Sequence, residues 1–263
     1  MGYFMKTVRP NVDSAVVATA YTTADILFDW HAFEIPKGGA RLVSVGATVV
    51  GTESAVGNLL DFDLLFAKSI NSVAPTSLGT SNAATSKAAA AACRKNIIHY
   101  SQWDGSMASD VGNDLLAYNA YGYSQGNPNV STVAAGMNSP VLVGEPSSLL
   151  SGTEGYQTLY IAALAQGAFD FGTGVILNET DAGALAASGT ATLTIDGVDA
   201  RDVFQVGDEV IAQDGALIGV VKTITHDGTD GTLVLESAHT DALANDDEIC
   251  FRQPIEFHFG FEY

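Results

Sequence analysis

Residues 254–263, PIEFHFGFEY, alternate without a break: Ile255, Phe257, Phe259 and Phe261 fall on one side of an extended chain, Glu256, His258, Gly260 and Glu262 on the other. A period of two predicts an antiparallel strand with one dry and one wet face. LLDFDLLFA (59–67) repeats the pattern, with Phe62, Leu64 and Phe66 opposed to Asp61, Asp63 and Leu65. RLVSVGATVVG (41–51) is β-branched, with apolar positions at Leu42, Val43, Val45, Val49 and Val50, and QTLYIAALAQ (157–166) and TGVILN (173–178) have the same character. Only TSKAAAAACRKN (85–96) reads as a helix, Ala-rich and ending in bases that suit a helix C-terminus. Turns are supplied by PKGG (36–39), SQGNPN (124–129), GEPSS (144–148) and SGTEG (151–155). Seven or more short strands separated by turns predict an all-β fold: an antiparallel jelly roll or β-sandwich with one short Ala-rich helix.

The texture changes near residue 179. NETDAGALAASG (178–189) reads as a linker of small residues. Beyond it lie five strand-like runs, ATLTID, DEVIA, LIGVVKTI, TLVLE and EICF, separated by DG, QDGA, DGTDG and ANDD. Asp-Gly between alternating runs is a strong hairpin signal, and five short strands in this length predict a small SH3-like β-barrel. The glycines of GDEVIAQDGALIGVVKTI (207–224) are therefore expected in turns. GALIGVVK lacks the spacing and terminal pair of a phosphate loop. The expected organisation is a jelly-roll domain of residues 1–179 plus 251–263, with a small β-barrel of residues 180–250 inserted.

Composition narrows the class. The chain has 263 residues, of which 47% are hydrophobic and 16% charged, a core-forming balance. Nothing approaches the roughly 18 apolar residues of a membrane helix. The N-terminus lacks a secretory pattern, and Lys6 stands where a myristoylation motif needs Ser or Thr. Thirty acids against eleven bases give a formal charge of −19. Such a field repels nucleic acid, whose binding needs clustered Lys and Arg, so no nucleic-acid or membrane partner is expected. Cys93 and Cys250 are far apart in sequence and are expected to be buried free thiols, a disulfide requiring that the fold bring them together.

No catalytic or cofactor constellation emerges. HDGTDGTLVLE (226–236) resembles a calcium loop only loosely, since the middle ligand is missing, and NDDE (245–248) reads as a solvated turn. His31, His99, His226, His239 and His258 show no metal-ligand spacing, and no GxSxG marks a nucleophile. His31 and His258 are expected on wet strand faces. Asp61 and Asp63 share one strand face, as glycoside hydrolysis would require, but paired acids are commonplace in so acidic a chain. Trp30 and Trp103 are expected in packing rather than in sugar stacking. The chain is expected to be no enzyme, with no cofactor and no metal.

Residues 28–66, FDWHAFEIPKGGARLVSVGATVVGTESAVGNLLDFDLLF, resemble the jelly-roll capsid decoration (cement) proteins of tailed bacteriophages. In that family a strand ending near Pro-Gly-Gly precedes an apolar strand, a polar loop and a strand of the DFDLLF type. TLYIAALAQGAFDF (158–171) resembles the family's late strand and IEFHFGFEY its final one, so the resemblance covers about two-thirds of the chain. The inserted segment departs from it, though its GDEVIAQDG style resembles small β-modules of phage structural proteins. The resemblance implies a virion protein on the outer capsid surface, bound to the major capsid protein and assembled as a trimer. Two other readings remain: a tail-fibre or receptor-binding module that recognises host glycans through YNAYGYSQGNPN (118–129), with Tyr118, Tyr121 and Tyr123, or a carbohydrate-binding accessory domain of an enzyme.

Overall fold

The computed structural model describes residues 2–12, 20–50, 60–105, 108–112, 115–121, 140–146, 155–169, 171, 175–176, 191–197, 199–212, 215–238, 243 and 246–263. In chain order the first unit contains β1 (Tyr3–Val8), β2 (Ile26–Pro36), β3 (Ala40–Val50), β4 (Phe62–Ala67), helix α1 (Lys87–Cys93), β5 (Ile97–Trp103), β6 (Ser109–Gly112), β7 (Leu115–Tyr121), β8 (Val141–Leu142), β9 (Glu145–Pro146) and β10 (Tyr156–Ala165). Then come β11 (Val175–Ile176), β12 (Thr192–Ile195), helix α2 (Ala200–Val203), β13 (Glu209–Ala212), β14 (Leu217–His226), β15 (Gly231–Leu235), β16 (Glu248–Phe251) and finally β17 (Ile255–Glu262).

Two antiparallel sheets form a jelly roll. One runs β1-β17-β3-β7-β6 with β8 added to β3, and the other runs β2-β10-β4-β5 with β9 added to β10. The first and last strands pair, and β17 lies centrally between β1 and β3. This is the double Greek key of a jelly roll. The alternation in 254–263 explains it: Ile255, Phe257, Phe259 and Phe261 are fully buried against the facing sheet. Phe257 meets Phe28 and Phe62 at ring-centroid distances of 5.9 and 6.1 Å, and Phe259 meets Phe33 and Phe66 at 5.4 and 5.6 Å. β10 is apolar on both faces because the connection from β4 to β5 covers the outer side of its sheet. Leu78 and Cys93 from that connection pack there with Ile26 and Ala162. α1 begins where Ser86 Oγ accepts the Ala89 amide, 3.1 Å away.

A second sheet unit lies between β10 and β17, with strand order β11-β16-β13-β14-β15-β12. All five strand runs read from residues 191–251 are present, as β12 to β16. The sheet is an open half-barrel whose edge strands β11 and β12 are not paired with each other. It bends at β14, which pairs β13 with its first half and β15 with its second, with a register shift between Val221 and Thr223. Three features differ from the sequence expectation. A sixth strand, β11, comes from TGVILN, so the sheet takes in Val175–Ile176 and Phe251 outside the range 180–250. A second short helix, α2, starts where Asp199 accepts the Arg201 amide, and the Asp196-Gly197 turn leads into it rather than closing a hairpin. GEPSS contributes Glu145–Pro146 to β9 instead of a plain turn. The small unit has its own cluster around Leu193, Phe204, Val210, Leu233 and Ile249, whereas Ile211 and Cys250 belong to the jelly-roll core.

Antiparallel pairing fixes which connections share an end of the sandwich. β1, β3, β5 and β10 all run toward one end, which carries the connections 9–25, 51–61 and 104–114 and the inserted unit. The opposite end carries both chain termini, the β2–β3 turn, the ends of β4 and β10's entry, and β8 and β9. These are called the insertion end and the terminal end below.

Candidate interaction surfaces

The carboxylates singled out by alternation are engaged structurally. Asp61 Oδ1 accepts the Gly105 amide at 2.7 Å. Asp63 Oδ2 accepts from Gln166 Nε2 at 2.8 Å, while its Oδ1 is buried without a partner and burial pushes its carboxyl up. In the loop 226–236, Asp227 Oδ1 accepts the amides of Thr229 and Asp230, both at 2.9 Å, which holds its carboxyl below the usual range. Those oxygens close the β14–β15 hairpin, whose tip places Gly228 at φ +105°. Among the described residues no group of three His, Cys, Asp or Glu side chains converges, and no helix is long and apolar enough to cross a membrane.

The aromatic and thiol positions divide similarly. Trp103 is buried and stacks on Phe62 at 5.3 Å, and Trp30 donates its indole N–H to the Thr76 carbonyl at 2.9 Å while packing on the outer cluster. His31 is half-buried rather than on a fully wet face, and burial, then Lys6, lower its pKa. Cys93 and Cys250 are free and buried, and burial pushes the Cys250 thiol up to about 12. Tyr118 and Tyr121 belong by backbone to β7, paired with Ala47 and Ser44, so the proposed aromatic loop starts inside a strand. Tyr123 and residues 122–129, like the linker 178–189 and His239, lie outside the described residues.

The two units meet around a cleft of about 330 Å³. Thr48, Val50, Glu256 and His258 line it from the jelly roll, and Val203, Gln205 and Asp208 from the small unit. Arg9 pairs with Glu256, which also lies 3.3 Å from His258 Nε2. Asp208 accepts the Gln205 amide at 2.7 Å, and burial raises its carboxyl despite the nearby Arg9. Beside the cleft Arg252 bonds Glu209 at 2.9 Å. The bonds made by the cleft's own polar groups each lie within one unit, and the charge of Arg9 reaches Asp208 across the cleft.

The two ends of the sandwich differ in charge. Among the described residues the connections of the insertion end carry 15 acids and four bases. Three of those bases, Arg9, Arg201 and Arg252, are already in ion pairs. Among the described residues the connections of the terminal end carry four bases, Lys37, Lys68, Arg94 and Lys95, and one acid, Glu145. Arg41 on β3 and the acids Glu34 on β2 and Glu262 on β17 lie beside them, whereas Lys87 follows Ala84, which bridges Asp25 toward the insertion end. Glu145 is itself occupied: its carboxylate accepts the amides of Ser72 and Asn71 at 2.6 and 2.7 Å, which lowers its pKa. The terminal end is also apolar. Val73, Val141, Val143 and Tyr156 are 68%, 60%, 49% and 40% exposed. Val141 is paired with Arg41, a Cβ on Gly39 would touch Val143 and Val141, and Tyr156 is paired with Pro36, so Val141, Val143 and Tyr156 are neighbours around the β2–β3 turn. Sequence reading missed this split, because it needs the topology that sends alternate connections to opposite ends. No family model, curated protein or solved structure matches the chain.

Proposed function

We propose that this chain is a non-enzymatic structural protein of a bacteriophage particle, a decoration (cement) protein that binds the outside of the capsid shell and stabilises it. Its partner is the major capsid protein, and it works as a homo-oligomer, a trimer. The observation that carries the reading is the placement of the inserted unit: a jelly roll interrupted between β10 and β17 puts a second β unit at one end, opposite the end that carries the exposed Val141, Val143 and Tyr156. The engagement of Asp61, Asp63 and Asp227 in structural hydrogen bonds supports a role exercised through the surface. Each copy would clamp neighbouring shell subunits through an interface on the order of 1,000 Å² or more, and repetition on the lattice would add avidity. The test is copy number, measured by quantitative mass spectrometry of purified particles. A stoichiometry comparable with that of the shell protein is expected. A few copies that remain with tails after the heads are removed would contradict decoration and favour a tail module.

A further inference from the structure

Charge and exposed apolar surface coincide at one place on the molecule. Lys37 and Arg41 are exposed at the β2–β3 turn, next to Val141 and Val143. Lys68 lies close enough to Glu145 to act on its carboxyl, and its amide bonds Asn96, which brings the exposed Lys95 to the same end. Among the described residues no ion pair engages Lys37, Arg41, Lys68 or Lys95. The chain as a whole carries a net charge of −19, so an end with more bases than acids is an exception. The fold has instead concentrated the acids at the insertion end.

We propose that the terminal end is the docking face, and that it seats on a carboxylate-rich patch of a protein shell. The proposal rests on the decoration reading above and adds which face attaches and to what chemistry. An apolar centre ringed by charge has the make-up of a protein interface, where the apolar part excludes water and the rim selects the partner. The charge separation also orients the approach. An acidic shell repels the insertion end and attracts the terminal end, so the molecule arrives with the small unit outward. Exposed bases are screened by salt, and attachment by this face therefore weakens as ionic strength rises.

The experiment uses empty heads of the phage that encodes the chain, assembled without it. The intact protein is acetylated on lysine, free and after sedimentation with the heads. Lys37, Lys68 and Lys95 should lose reactivity on binding while Lys222, exposed on the inserted unit, keeps it. Protection of Lys222 with Lys37 and Lys95 still reactive overturns the docking face but leaves decoration standing. Failure of the wild-type protein to sediment with heads overturns decoration itself. A second arm compares the double variant Lys37→Glu/Lys95→Glu with Lys222→Glu. The double variant should bind heads about tenfold or more weakly with its thermal melt unchanged, and Lys222→Glu should bind as wild type. Equal binding by both variants contradicts the proposal. Retention of the wild type on duplex DNA, or on phosphatidylcholine vesicles containing phosphatidylserine, as strong as on heads would make the terminal end a general polyanion site and also contradict it.

Discussion

At the scale of single residues, the tightest constraints are close approaches and one buried oxygen. Gly144 sits where β8 passes into β9, its amide donating to Gln157 Oε1 at 2.9 Å. A Cβ there would collide with the backbone carbonyl of Thr158 in β10, which cannot swing aside as a side chain could. Gly144→Ala should therefore cost about 1–3 kcal/mol, read as a fall in melting temperature. Gly155→Ala differs in kind. Gly155 has φ +111° with open space around it, so only backbone strain opposes the change. Asp63 makes the other residue-scale case. Its carboxyl is raised by burial, so the folded state holds the proton more tightly than the unfolded chain. Stability from this group is fully present below the unfolded value of 3.8 and is lost as pH rises through the higher folded value. On acidification from about pH 6 to about pH 4, Asp63→Asn should gain less melting temperature than wild type, or lose more. Equal changes in both proteins would show that Asp63 is not the group responsible.

At the scale of elements, β17 carries the greatest weight. It is the central strand between β1 and β3, and its four inward side chains are fully buried. Phe259→Ala should cost about 3–5 kcal/mol, whereas Glu262→Ser, on the opposite face, should stay within about 0.5 kcal/mol. A chemical denaturation series on the two variants checks this, and similar midpoints would contradict the register. This strand was fully legible in the sequence because one face is dry and the other wet, which leaves an unbroken period of two. β4, β10 and the five strands of the small unit were legible for related reasons. The short pieces were not. β8, β9 and β11 are two residues each, too short for any periodicity, and owe their pairing to the strands beside them. The Asp-Gly signals were ambiguous in a definite way. Asp227-Gly228 closes a hairpin because β14 and β15 pair, while Asp196-Gly197 turns the chain into α2 because β12 pairs with β15 instead of β13. Local turn chemistry states that the chain turns, and tertiary pairing decides toward what.

At the scale of the whole molecule, separation of the two units is incomplete, and this shapes how they can be cut apart. Excising residues 180–250 alone would strand Val175–Ile176 without β16 and remove Ile211 and Cys250 from the jelly-roll core. A deletion joining Phe171 to Arg252 through a short glycine bridge removes the whole half-barrel. It should leave a folded jelly roll that is less stable by roughly 2–5 kcal/mol, reflecting the lost core contacts. Retained near-UV circular dichroism with a lower melting temperature is the expected result, and a molten spectrum would mean that the two units fold only as one. The chemistry of individual positions was readable from sequence, but the polarity of the molecule was not, because charges distant in sequence meet only through the jelly-roll connections. That polarity underlies the proposed outward placement of the inserted unit. The most direct test is electron cryomicroscopy of intact particles, with the chain's density resolved on the head. Copies repeated over the outer shell are expected, with the β2–β3 turn against the shell and the half-barrel outermost. Density confined to the tail, or a half-barrel buried against the shell with Lys37 facing solvent, would contradict this arrangement.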